Sequence, residues 1–200
     1  MKSETIVINR NEDSTDKALA LVESFVSDLS PKAALRVRLL AEETMNLIRS
    51  ITGDMDAEFF VEKEDGCCKL HLNTNTIMFA KKRKELMEIS TSKENAAAKG
   101  VIGKIREVFE LALLPKDERS ARESRIGMMG LVDPTSLAAT SVETWRMSNY
   151  ISSVNGMDEN NEFVQEAKNE LERSILSKIA KDVEISIVGD DVSMTIEYDT

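Results

Sequence analysis

Glu42 and Asn46 stand four residues apart, a spacing that puts both on one face of a helix, with Arg49 and Ser50 a turn further on. A carboxylate can accept a proton from water and an amide oxygen can ligate Mg²⁺, so the pair has chemistry that a metal nucleotide could use. A solvated helix face carries the same spacing by chance. A second candidate is Lys99-Gly100-Val101-Ile102-Gly103-Lys104. It is not a phosphate loop, because the position five before Gly103 is Ala98 and Lys104 is followed by Ile105 rather than Ser or Thr. It is not a GxGxxG dinucleotide loop either. Two glycines at i and i+3 still allow a ligand, or a neighbouring helix, to come close. Lys81-Lys82-Arg83-Lys84 gathers four cations, which suit either a phosphate or acidic-partner contact or a solvated helix face.

Other chemistries are poorly provided for. His71 is the one histidine, so any Ser-His-Asp or Cys-His mechanism would depend on it. It falls in an alternating strand, residues 67–72, and reads as structural or solvent-facing. Cys67 and Cys68 are adjacent in that strand, where neighbouring side chains point to opposite faces and ordinary disulfide geometry is out of reach. With no CxxC pair and a lone histidine, no zinc site is expected. The 26 Lys+Arg against 36 Asp+Glu give a net charge of −10, and 42% of residues are apolar. That is a globular composition, and a chain of this length can bury about 70% of its unfolded surface. The acidic balance disfavours nucleic acid and anionic membrane as partners. No apolar run reaches the roughly 20 residues that span a bilayer, and the N-terminus lacks signal-peptide character, so a cytoplasmic protein is expected.

The elements that must position these residues follow from periodicity. Residues 5–9 read as a β-branched strand. Residues 14–29 form an amphipathic helix with Ser14, Thr15 and Asp16 as its cap. Ser30-Pro31 ends that helix and opens a second over 31–52, with Leu35, Leu39, Leu40, Leu47, Ile48 and Ile51 as its buried face. Residues 56–62 and 67–72 alternate around Asp65-Gly66, a hairpin signal. The polar stretch 73–76 shows no preference for strand or helix. A charged helix over 81–86, a loop at 90–95 and an amphipathic helix ending near Leu114-Pro115 follow. From 116 to 159 the rhythm is lost, with Met128 and Met129 among scattered glycines and one helix around 136–154, which suggests an insertion or lid. Regularity returns in a helix over 161–181 and a closing hairpin, 183–188 with 192–198. Five strands and four or five helices in this order predict an α+β, two-layer α/β sandwich with a mostly antiparallel mixed sheet and helices on one face, in a single domain over residues 1–200.

This order, together with Leu39-Leu40-Ala41-Glu42-Glu43-Thr44-Met45-Asn46-Leu47-Ile48-Arg49, resembles the histidine-kinase-like ATPase superfamily, nearest to the anti-sigma-factor serine kinases. The likeness covers about residues 1–114, and the closing hairpin would supply the family's last strands. It implies Glu42 as general base, Asn46 as Mg²⁺ ligand and Arg49 beside the nucleotide. It also implies that Gly100 and Gly103, with Lys99 or Lys104, meet the phosphates at a helix N-terminus. Where the family has an Asp-x-Gly-x-Gly box, this chain has Asn73-Thr74-Asn75-Thr76-Ile77-Met78, so the first glycine box is degenerate. Thr74 falls nearest the purine-reading Asp, and Thr74 and Thr76 can still hydrogen-bond a purine. The resemblance therefore implies a binder of ATP or ADP with Mg²⁺, acting as a regulatory kinase or switch, with a regulatory protein partner and room for a homodimer. The alternative is a pseudo-ATPase interaction module that has lost nucleotide. A third reading is an unrelated two-layer domain with no small-molecule site.

Overall fold

The computed structural model describes residues 1–9, 12–52, 56–75, 105, 142–158, 162–188 and 191–200. Among them are six strands: β1 (Ile6–Ile8), β2 (Ala57–Glu64), β3 (Cys67–Asn75), β4 (Val142–Arg146), β5 (Asp182–Val188) and β6 (Asp191–Asp199). Five helices accompany them: α1 (Glu12–Phe25), α2 (Pro31–Thr52), α3 (Met147–Gly156), α4 (Glu162–Arg173) and α5 (Ile175–Ile179). The strands form one antiparallel sheet in the order β1-β2-β3-β6-β5-β4, so the fold is α+β, consistent with a two-layer sandwich. The chain divides into two compact units, whose described residues are 1–9, 12–52, 56–74, 175–184 and 193–200 in one and 75, 105, 142–158, 162–174, 185–188 and 191–192 in the other.

In the first unit α1 packs on β1 and β2, and α2 packs on α1 and α5. The Ser30 hydroxyl accepts the Ala33 N–H at 3.3 Å, the side-chain cap expected ahead of Pro31 at the first helical position. The buried face of α2 is Ala33, Val37, Leu40, Ala41, Met45 and Leu47, with the Thr44 hydroxyl donating to the Leu40 carbonyl at 2.6 Å. Leu35, expected inside, is 57% exposed. Two residues of helix rotate a side chain by about 200°, so a face centred on Ala33 and Val37 leaves Leu35 on the far side. The first helix begins at Glu12, ahead of the expected cap. Ser14 is buried in its first turn, where its hydroxyl donates to the Asn9 carbonyl and accepts the Asn9 N–H, tying the exit of β1 to the helix.

The β2–β3 hairpin turns at Asp65-Gly66, and Gly66 has φ of +75°, which glycine adopts without Cβ strain. The register pairs Phe59 with Leu72 and Val61 with Leu70. Alternate residues Ala57, Phe59, Val61, Cys68, Leu70 and Leu72 are buried on one face of the sheet. β3 runs on through Asn73, Thr74 and Asn75, where no strand was expected, because Thr74 continues the buried alternation and Glu58 pairs with Asn73. The closing hairpin buries Val183, Ile185 and Ile187 with Val192, Met194, Ile196 and Tyr198, as its period-two pattern predicts.

In the second unit α3 packs on β4 and α4. Residues 142–146, expected within a helix over 136–154, form the sixth strand at the sheet edge, next to β5. Val142, Thr144 and Trp145 are β-formers, and pairing beside β5 overrides the helical reading of this segment. The helix starts at Met147. The expected helix over 161–181 is two, α4 and α5, separated at buried Ser174. Residues 76–104 and 106–141, with their charged helix, glycine pair and most of the expected insertion, lie outside the described residues.

Candidate functional site

The Glu42–Asn46 pair lies on α2, one turn apart, and this helix is held from below by the Leu40–Ala41–Met45 face and at its start by Ser30. Asn46 is exposed, and Glu42 is half-buried. Glu42 Oε1 accepts from Arg38 Nε at 3.1 Å, and a second nitrogen of the same guanidinium is 2.5 Å from Glu23 Oε1 of α1. Arg38 thus bridges the two helices through the carboxylate that was expected to act as base. Arg49 follows one turn later on α2.

Thr74 occupies the penultimate position of β3 and is 7% exposed. Its hydroxyl donates to the Asp56 carbonyl at 3.1 Å, which uses the single hydroxyl proton and leaves the oxygen as an acceptor. Next to it, Asn75 donates through Nδ2 to Asp191 at 2.7 Å. Of the residues expected at the site, Glu42 and Asn46 are brought to one helix face. Thr76, Lys99, Gly100, Gly103 and Lys104 lie outside the described residues. Among the described residues no cluster of three or more His, Cys, Asp or Glu could hold a metal ion.

A groove of about 900 Å³ opens at the other end of the hairpin, lined by Lys63, Glu64, Cys67, Lys69, Lys181 and Glu197 among others. Its lysines already have carboxylates: Lys63 with Asp28 at 2.5 and 2.6 Å, Lys69 with Glu64 and Glu197 at 3.6 and 3.8 Å, and Lys181 with Asp199 at 2.9 Å. The hydrogen bond from Lys63 holds the Asp28 carboxyl below its usual range, and Asp199 raises Lys181. An anion entering here would meet cations that are already neutralised. The thiols add no nucleophile, since burial raises Cys67 and pushes Cys68 up to about 11.

Sequence reasoning missed a polar cluster built on His71. Its ring stacks on Phe60 at 4.6 Å with 13° between planes, and its Nδ1 is 3.2 Å from the Thr195 hydroxyl. Nε2 lies 3.1 Å from Glu62 Oε2, close enough for charge attraction once the ring is protonated, although it makes no aligned hydrogen bond there. The two-residue turn carries a readable signal for part of this. A hairpin closing at Asp65-Gly66 pairs Phe60 with His71 by counting, as observed. Thr195 comes from the other hairpin, and no local pattern announces it.

Comparison with protein-family models, with curated proteins and with solved structures found no match to this chain. Among the described residues no helix is long and apolar enough to cross a membrane.

Proposed function

We propose that the chain binds an adenine nucleotide with Mg²⁺ and works as a regulatory switch on a histidine-kinase-like ATPase fold. The observation that carries this reading is the Glu42–Asn46 pair, one turn apart on the second helix of a strand-helix-helix-hairpin order, with Asn46 exposed. Asn46 is the Mg²⁺ ligand of this proposal. Thr74 supports it as the purine reader: its proton is committed to Asp56, so its oxygen can only accept, which suits an exocyclic amino group. Arg49, Thr76 and the Lys99–Lys104 glycine segment complete the nucleotide contacts, and a regulatory protein is the partner that such a switch serves. Arg38 occupies Oε1 of Glu42 and leaves Oε2 as the oxygen for a general-base role, so part of this carboxylate already serves the α1–α2 bridge and binding is the better supported half of the proposal.

One observation favours a second reading, the pseudo-ATPase interaction module. Arg38 joins Glu23 and Glu42 into a bridge between α1 and α2, a structural use of the carboxylate that requires no nucleotide. Thermal unfolding with ATP or ADP, each with Mg²⁺ and with EDTA, separates the two. A Mg²⁺-dependent rise lost in Asn46→Ala supports the nucleotide switch. No rise at millimolar nucleotide favours the interaction module.

A further inference from the structure

Residues 1–3 lie along β2, ahead of β1. The Lys63 N–H donates to the Met1 carbonyl at 2.7 Å and the Ser3 N–H to the Val61 carbonyl at 2.8 Å. The Val61 N–H donates to the Ser3 hydroxyl at 2.9 Å, and Lys2 bridges to Glu62. This strap places the Lys2 ammonium 3.7 Å from the centre of the Phe60 ring and 3.8 Å from Glu62 Oε1. The same ring stacks on His71, and the other oxygen of the same carboxylate is 3.1 Å from His71 Nε2. Lys2 and His71 therefore share two partners, one carboxylate and one aromatic ring. While His71 is neutral, Lys2 is the sole cation of this pair. Once it is protonated, two cations compete for Glu62 and for the ring.

We propose that residues 1–3 and His71 form a proton-linked latch, in which the strap docks on β2 while the imidazole is neutral and lifts when it is protonated. The charged groups around the imidazole are Lys2 from the strap, Glu62 from β2 and Lys69 from β3, with the Thr195 hydroxyl from β6. Lys69 is in turn shared by Glu64 and Glu197. Burial of the ring is the largest influence and favours the neutral form, Glu62 opposes it, and Lys2 and Lys69 reinforce it. The coupling is reciprocal: if a docked Lys2 makes His71 harder to protonate, protonation loosens Lys2 by the same factor. In the neutral tautomer with its proton on Nε2, Nδ1 accepts from Thr195, and protonation reverses that bond across β3–β6, with Nδ1–H donating to the Thr195 hydroxyl. A lifted strap would bare the Val61 and Lys63 amides and the Val61 carbonyl, a stretch of sheet edge on which another strand can pair.

The sole histidine makes the test direct, because every imidazole proton signal in the NMR spectrum belongs to His71. We expect Lys2→Met to move the His71 titration to higher pH and Glu62→Gln to move it lower. With the intrinsic pH dependence removed, the Lys63 amide should exchange about fivefold faster or more once His71 is protonated, and show no such step in His71→Gln. Lys2 is more than half exposed, so its replacement leaves the core intact and the titration remains readable if His71→Gln misfolds. A His71 titration unmoved by Lys2→Met, or Lys63 protection that ignores the imidazole's charge, overturns the latch.

Discussion

His71 shows how one residue's surroundings convert into a property of the protein. Burial holds its pKa below the ordinary 6.5, with Glu62 pulling the other way. As pH falls, the unfolded chain takes up the proton first, so stability present above about 6.5 is lost as pH falls through the lower folded pKa, and levels off beneath it. Urea unfolding of the full chain across that window should show a falling midpoint in the wild type and no histidine-linked fall in His71→Gln. Glu42 makes the opposite point: a carboxylate suited to proton transfer is held by Arg38, and its partner decides what it can do. Thr74 is similar. Its identity says only that it can donate and accept, and the Asp56 carbonyl settles which remains available.

At the scale of elements, α2 and the first hairpin carry the candidate chemistry, and their stability can be probed apart from it. Leu40 is fully buried and Leu35 is largely exposed on the same helix. Leu40→Ala should destabilise by about 2–5 kcal/mol through lost transfer energy and a residual cavity. Leu35→Ala should change stability by no more than about 0.5 kcal/mol. Equilibrium denaturation of the two variants checks both the helix's orientation and its packing. In the hairpin, a Cβ on Gly66 would meet nothing within 4 Å, so the consequence of substitution is purely conformational. Gly66→Ala should lower stability by roughly 1–2 kcal/mol and Gly66→Asn by less, because Asn tolerates a left-handed backbone better. The strand β4 shows the reverse dependence, where pairing beside β5 selects a strand for residues that were read as helical.

For the whole molecule, the nucleotide proposal predicts a shift in global stability. A ligand at about 100 times its dissociation constant adds roughly 2.7 kcal/mol, which for a chain of this size raises the unfolding midpoint by about 5–10 °C. The expected pattern is a rise with Mg²⁺-nucleotide in wild type and none in Asn46→Ala, whose unliganded midpoint should stay close to wild type because residue 46 is exposed. The net charge of −10 bears on partners at the same scale, since it opposes association with polyanions unless a local basic patch overcomes it.

The sequence by itself determined the elements whose signals are local. Ser30-Pro31 marks the start of α2 by capping chemistry, Asp65-Gly66 marks the first hairpin by its turn, and the period-two runs of β5 and β6 mark the second. It also placed Glu42 and Asn46 on one helix, because i and i+4 must share a face. What only the tertiary structure decided depends on residues distant in sequence. The pairing of β4 beside β5 made a strand of residues read as helical, and the hairpin register drew Thr74 into β3. Which α2 leucines are buried was set by the surface against which the helix packs. The bridge from Arg38 to Glu23, and the meeting of Lys2, Glu62, His71 and Thr195, join segments up to 124 positions apart, as His71 and Thr195 are. Local pattern has no means of specifying contacts of that range, because they exist only once the sheet has brought its strands together.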